Sequence, residues 1–140
     1  MKYKRMLQAL LLAIAGYDIY LSVSGLFFRS GAVAHAANFF NFNLELTTST
    51  YWLIGLLSTY LLAFAAFLIL AATNPVKYLS VIYICLGIFF VRIFQRIHFI
   101  LSDSATNLVA DPSKTGFYLG SIVVAAVALL FLTFKIRKQV

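Results

Sequence analysis

Four long apolar runs, separated by short polar segments, dominate the pattern of the chain. They extend over residues 6–28, 51–72, 78–101 and 117–134. Each approaches or exceeds the roughly 20 residues that a helix needs to cross a bilayer. The runs lack the alternation of barrel strands, and backbone groups in lipid must be hydrogen-bonded internally, so the pattern predicts helices. The predicted fold is all-α: one domain over residues 1–140, a polytopic membrane protein built as a four-transmembrane-helix bundle.

Polar and turn-forming residues mark the connections between these runs. Asn74 and Pro75 separate the second run from the third, and proline is tolerated at a helix start but not inside a helix. So short a link predicts an antiparallel hairpin of the second and third helices. A polar loop is expected over 102–115. The longest connection contains a stretch, 31–42, that is expected to form a short helix at the membrane interface.

Lysines and arginines are distributed unevenly between the two sides of the predicted bundle. Arg29 and Lys114 lie on one side. The other side, with both chain ends and the Pro75 turn, carries Lys2, Lys4, Arg5, Lys77, Lys135, Arg137 and Lys138. The positive-inside rule therefore predicts cytoplasmic termini. The expected location is a bacterial inner (plasma) membrane.

The composition excludes an ordinary soluble domain. The chain is 63% hydrophobic and 11% charged, whereas soluble domains carry about 25% charged residues. The net charge of +7 comes mainly from basic residues at the ends of apolar runs. It therefore indicates topology, and no nucleic-acid partner is predicted. Cys85 is the only cysteine, which precludes an internal disulfide and favours an inert thiol in an apolar helix.

The start of the chain imitates a secretory signal. Basic residues precede an apolar run, and the small-residue pattern at 34–36 resembles a cleavage site. The first run is too long for a signal core and contains Asp18, so a retained transmembrane helix is expected.

Three charged residues, Asp18, Arg92 and Arg96, lie inside the apolar runs. A charge at membrane depth costs a few kcal/mol or more on insertion scales, so it tends to be paired and functional. A helix rises about 1.5 Å per residue, which places Asp18 and Arg92 at a similar depth, about 20 Å from the predicted cytoplasmic edge. A salt bridge between them is expected, with Arg96 as the competing partner.

Residues that lie three, four or seven positions from a charged residue share its face of the helix. Asp18 shares its face with Leu11, Ile14, Ala15, Ser22 and Gly25. Arg92 shares its face with Cys85, Phe89, Gln95, Arg96 and Phe99, and His98 flanks that face. The predicted intramembrane polar site or structural clamp comprises Asp18, Arg92, Gln95, Arg96 and His98.

Two interpretations of this group stay open. In the structural one, Asp18 and Arg92 form a clamp, while Arg96 and His98 reach towards the outer headgroups. In the functional one, Arg96 with Gln95 and His98 binds an anionic or polar lipid-like headgroup, because a guanidinium matches phosphate or carboxylate. The functional interpretation implies a bound lipid or quinone, and no other cofactor is predicted.

Motifs for catalysis or metal binding are not recognised in the sequence. It contains no phosphate loop, no dinucleotide glycine pattern, no paired carboxylates and no His/Cys/Asp cluster at metal spacing. Neither catalytic residues nor a metal site are therefore predicted, and a non-enzymatic role is favoured.

Small residues recur at the spacing that lets transmembrane helices approach closely. The predicted helix-packing residues are Ala9, Ala13, Gly55, Thr59, Ala63, Gly116 and Gly120. Their contacts are expected within the bundle, with contacts between chains as the alternative.

The second and third runs resemble small four-helix bacterial membrane proteins of the DoxX-like type. The resemblance lies in the segment 60–64 (YLLAF), the Asn74-Pro75 turn and the arginine pair Arg92 and Arg96. It covers residues 50–101. It implies a four-helix inner-membrane bundle that is a partner or subunit of a redox or stress-related membrane complex, and no catalytic motif transfers with it.

Two functions are expected from these observations. The first is a non-catalytic accessory or interaction subunit of a larger membrane complex, with membrane lipids and other membrane subunits or further copies of this chain as partners. The alternative is a membrane protein, an enzyme or a carrier, that binds a lipid, a quinone or another hydrophobic ligand at the predicted polar site.

Overall fold

The computed structural model describes residues 2–35, 47–102 and 112–138. In this part of the chain the fold is all-helical, with α1 (Lys2–Phe27), α2 (Arg29–His35), α3 (Thr48–Thr73), α4 (Leu79–Leu101) and α5 (Pro112–Arg137). Helices α1, α3, α4 and α5 each contain a span long and apolar enough to cross a membrane. The predicted all-α fold with four transmembrane helices is confirmed.

Three of the long helices, α1, α3 and α5, begin before the apolar runs that predicted them. α1 begins at Lys2, and α5 begins at Pro112, so the last part of the predicted 102–115 loop is helical. Hydrophobicity marks only the part of a helix that lies in lipid, and proline fits the first helical position well. Residues 31–35 of the short helix expected at 31–42 belong to α2, and the rest of that prediction falls in 36–46, outside the described part of the chain.

The Asn74-Pro75 turn joins α3 to α4 as expected from the sequence. The Asn74 side-chain oxygen accepts a hydrogen bond from the Lys77 backbone N–H at 3.4 Å. The Asn74 carbonyl accepts one from the Tyr78 N–H at 3.0 Å. These bonds satisfy backbone groups that a helix end would leave unpaired. α4 begins at the next residue, Leu79, and packs against α3.

The four long helices form a closed ring of neighbouring pairs. α1 packs on α3 and α5, and α4 packs on the same two helices. α1 and α4 therefore face each other across the middle of the bundle. α2 folds back along α1, because the His35 ring lies 6.0 Å from the Tyr20 ring. A straight continuation of α1 would separate the two residues by about 22 Å.

The α1–α3 pair is held in register by two hydrogen bonds from side chains to backbone. Gln8 Nε2 donates to the Ala72 carbonyl at 2.8 Å, and Ser22 Oγ donates to the Ser58 carbonyl at 2.7 Å. Gln8 and Ser22 are 14 residues apart in α1, and their partners Ala72 and Ser58 are 14 residues apart in α3, in the opposite order along the chain. Both bonds therefore belong to one antiparallel register. Gly25 is buried at the same interface.

The two halves of the bundle differ in packing. The proximal half, which contains the Pro75 turn and both described chain ends, holds most of the apolar core. That core comprises Leu7, Leu11, Ala15, Phe64, Ala65, Leu68, Ala71, Ala72, Ile82, Cys85, Leu86, Phe89, Ala126, Leu129, Leu132 and Ile136. In the distal half, no described side chain of α4 after Phe89 and none of α5 before Ala126 is fully buried. Among the described residues, the fully buried side chains of α4 and α5 therefore lie in the proximal half.

We expect Gly25→Ala to destabilise the bundle. The added methyl would overlap Ser58 Oγ and lie 3.3 Å from Ile54 Cγ2, and overpacking of this kind costs about 1–3 kcal/mol. Gly16→Ala is the matched control, because nothing lies within 4 Å of the methyl that it adds to the same helix. Unfolding in a denaturing-detergent titration measures both variants. Equal stability of the two would show that α1 and α3 do not approach closely at Gly25.

Candidate intramembrane polar site

Asp18 lies on the inner face of α1. Its side chain is 3% exposed, and its Oδ2 atom has no hydrogen-bond partner among the described residues. The helical period that predicted its neighbours is seen in the structure: Leu11, Ala15, Ser22 and Gly25 are buried with it, and Ile14 is half-buried. α1 thus directs a carboxylate into the bundle.

Arg92 lies on α4, across the bundle from α1. Its guanidinium carbon is 4.7 Å from the centre of the Phe64 ring, 5.3 Å from that of Tyr60 and 5.9 Å from that of Phe89. We call these three rings the aromatic cage. Each cation–π contact contributes about 0.5–2 kcal/mol, with the larger values at sites shielded from water. The cage therefore stabilises a cation at membrane depth.

Asp18 and Arg92 carry opposite charges, but Asp18 Oδ2 and Arg92 Nη2 are not hydrogen-bonded to each other. Arg92 lies near enough to act electrostatically on the Asp18 carboxylate. Arg92 Nη2, like Asp18 Oδ2, is buried and has no hydrogen-bond partner in the described part of the chain. The expected salt bridge is thus not made by these two atoms. The position of the guanidinium over the cage explains why.

Arg96 lies one helical turn beyond Arg92 and contacts α5. Its guanidinium carbon is 4.4 Å from the centre of the Tyr118 ring. It also lies within electrostatic reach of Tyr17 on α1. Together with the cage, these groups form what we call the polar cluster: Tyr17, Asp18, Arg92, Arg96, Tyr118 and the three cage rings. All four transmembrane helices contribute to it.

The other two predicted members of the site, Gln95 and His98, lie apart from the cluster. Both side chains are exposed. The His98 ring lies 6.4 Å from the ring of Phe94, which is itself exposed. Successive residues of a helix are rotated by about 100° around its axis. His98 therefore lies on a different side of α4 from Arg92 and Arg96, which face inward. The side chain of Phe99 lies outside the described residues.

The seven predicted helix-packing residues are not at the close contacts within this chain. Ala9, Ala13, Thr59, Ala63, Gly116 and Gly120 are exposed, and Gly55 is half-buried. A methyl added at any of the three glycines would meet nothing within 4 Å. The close approach within the chain is made by Gly25 and Ser58 instead. Contact of the seven residues with helices of another chain stays a prediction.

The sequence did not identify the partners that other helices supply to the two arginines. Tyr60 and Phe64 come from α3, and Tyr118 comes from α5. The Phe89–Arg92 spacing of three and the Tyr60–Phe64 spacing of four indicate a shared face on each helix. No signal in the sequence indicates that these two faces meet.

The polar cluster offers hydrogen-bond donors, acceptors and aromatic faces. Cys85 is buried as a free thiol. Among the described residues, no three His, Cys, Asp or Glu side chains are grouped so that they could hold a metal ion. The chemistry that these groups support most directly is binding.

Comparison with known proteins gives no match to a protein-family model, to a curated protein or to a solved structure. The resemblance to DoxX-like proteins therefore stays a prediction.

Proposed function

We propose that this chain is an integral membrane protein that binds a hydrophobic molecule, such as a lipid or a quinone, by its polar headgroup at the polar cluster. One observation carries the proposal. Asp18 Oδ2 and Arg92 Nη2 are buried atoms without hydrogen-bond partners in the described chain, and they belong to side chains within electrostatic reach of each other. Buried polar atoms are normally satisfied, so an unsatisfied pair suggests a bound group that provides the missing bonds.

The position of the cluster favours a molecule that arrives from the bilayer. The cluster lies within the transmembrane helices, and Arg92, Arg96 and Tyr118 belong to stretches of α4 and α5 in which no described side chain is fully buried. Tyr60 of the cage is 42% exposed, so one ring of the site can also contact an apolar tail. Ligand sites in proteins commonly combine an apolar lining with a few convergent polar groups. A long-chain amphiphile fits these features better than a soluble metabolite.

Native mass spectrometry of the protein purified in mild detergent tests the proposal. We expect the wild type to retain an amphiphile, and the double variant Asp18→Asn/Arg92→Met to lose it. The double variant removes both charges together, so it leaves no isolated buried charge and should fold. Tyr83→Phe is the control, since Tyr83 is an exposed residue of α4 outside the cluster. Equal retention by a folded double variant would remove the proposal.

A second proposal, an accessory subunit of a larger membrane assembly, is favoured by a different observation. The predicted helix-packing residues of α1, α3 and α5 lie on outward faces or have open space around them. Small residues on outer faces suit close contact with transmembrane helices of another chain. Ala63→Leu is expected to weaken such an association in mild detergent. A wild type that migrates as a lone monomer would speak against this role.

For the location, we propose a bacterial inner membrane with both termini in the cytoplasm. The uneven distribution of lysine and arginine supports this orientation. In a Cys85→Ser background, a membrane-impermeant maleimide should label Arg29→Cys in intact cells. It should label Lys77→Cys only after the membrane is permeabilised. The reverse pattern would invert the orientation.

A further inference from the structure

We infer that the headgroup bound at the polar cluster is uncharged and presents a hydrogen-bond donor beside an acceptor. The inference rests on the proposed binding function and specifies its ligand. The chemical class is a long-chain alcohol or a partial ester of a polyol. Three features of the cluster lead to it: the hydrogen-bonding roles of the two unsatisfied atoms, the balance of charge between them, and the apolar surface beside them.

The two unsatisfied atoms require opposite partners. Arg92 Nη2 carries only N–H donors and needs an acceptor, whereas a carboxylate oxygen such as Asp18 Oδ2 accepts and needs a donor. A fatty-acid carboxylate or a simple phosphodiester offers acceptors alone. A hydroxyl beside an ester carbonyl or a second hydroxyl offers both.

The charge balance also favours a neutral headgroup. The charges of Asp18 and Arg92 are opposite, and Arg92 lies within electrostatic reach of the carboxylate. An anion bound at Arg92 would therefore lie within reach of the Asp18 charge, and a cation bound at Asp18 within reach of the Arg92 charge. Like charges within reach of each other in a poorly solvated site repel strongly. Arg96 already lies over the Tyr118 ring, 4.4 Å from its centre, one turn away from the unsatisfied pair.

The surroundings of the pair suit an aliphatic tail. Phe64 and Phe89 of the cage meet edge to face, with ring centres 5.7 Å apart, and both are buried. Tyr60 stacks beside Phe64 and is partly exposed at the outer surface of α3. A chain that leaves the headgroup along the Tyr60 ring therefore passes from a buried aromatic surface to lipid.

Three probes with the same oleoyl chain test this inference. Monoolein has both donors and acceptors, methyl oleate has acceptors only, and oleate is an anion. Each is added to the full-length wild type in detergent, and binding is followed by native mass spectrometry and by the shift in melting temperature. We expect monoolein to bind about tenfold more tightly than methyl oleate, because one charge-assisted hydrogen bond is lost. We expect oleate to bind more weakly than monoolein as well.

Asp18→Asn is the informative variant. It nearly preserves the volume of the side chain but removes the negative charge beside Arg92, so oleate should now bind more tightly than monoolein. Tyr83→Phe should keep the order of the wild type. The order measured on the wild type decides the inference even if Asp18→Asn fails to fold.

The outcomes separate this inference from the binding function on which it rests. Methyl oleate or oleate binding the wild type as tightly as monoolein would overturn the neutral donor–acceptor headgroup and leave the binding function standing. If none of the three probes binds and purified protein retains no amphiphile, the binding function itself fails. Water alone would then satisfy the pair.

Discussion

The low dielectric of the bilayer is the constraint on which this structure depends, because it makes an isolated charge inside the bundle costly. An unpaired charge at membrane depth costs several kcal/mol. Asp18 of α1 is almost completely buried in the bundle. Arg92 offsets part of that cost from the opposite helix. The aromatic cage in turn surrounds Arg92 with the negative faces of three rings. Asp18, Arg92 and the aromatic cage thus stabilise one another across α1, α3 and α4.

The packing of the bundle follows from the same arrangement. Apolar side chains fill the proximal half, where no charge interrupts the contact faces. In the distal half, α1 and α3 stay close because Gly25 leaves space for Ser58 and because Ser22 donates a hydrogen bond to the Ser58 carbonyl. α4 and α5 bring Arg92, Arg96 and Tyr118 to this region, where none of the three is fully buried. The apolar core and the charged groups of the polar cluster therefore lie mainly in different halves of the bundle.

The sequence predicts the elements of this molecule better than their contacts. Apolar length identifies the four transmembrane helices, and the helical period places Asp18 on a buried face with Ser22 and Gly25. The aromatic cage could not be predicted, because Phe64 reaches Arg92 only through the order of helices around the ring. The same limit applies to small residues: their spacing indicates that helices approach closely, but not that Gly25 rather than Gly55 makes the contact.

The central claim is that the charges of Asp18 and Arg92 stabilise the bundle mutually, and a double-mutant cycle on the free energy of unfolding tests it most directly. The variants are Asp18→Asn, Arg92→Met and the pair together, measured in one detergent system. We predict that each single change destabilises the protein and that the double change recovers part of the loss, with a coupling of at least about 1 kcal/mol. Strictly additive effects would contradict the claim.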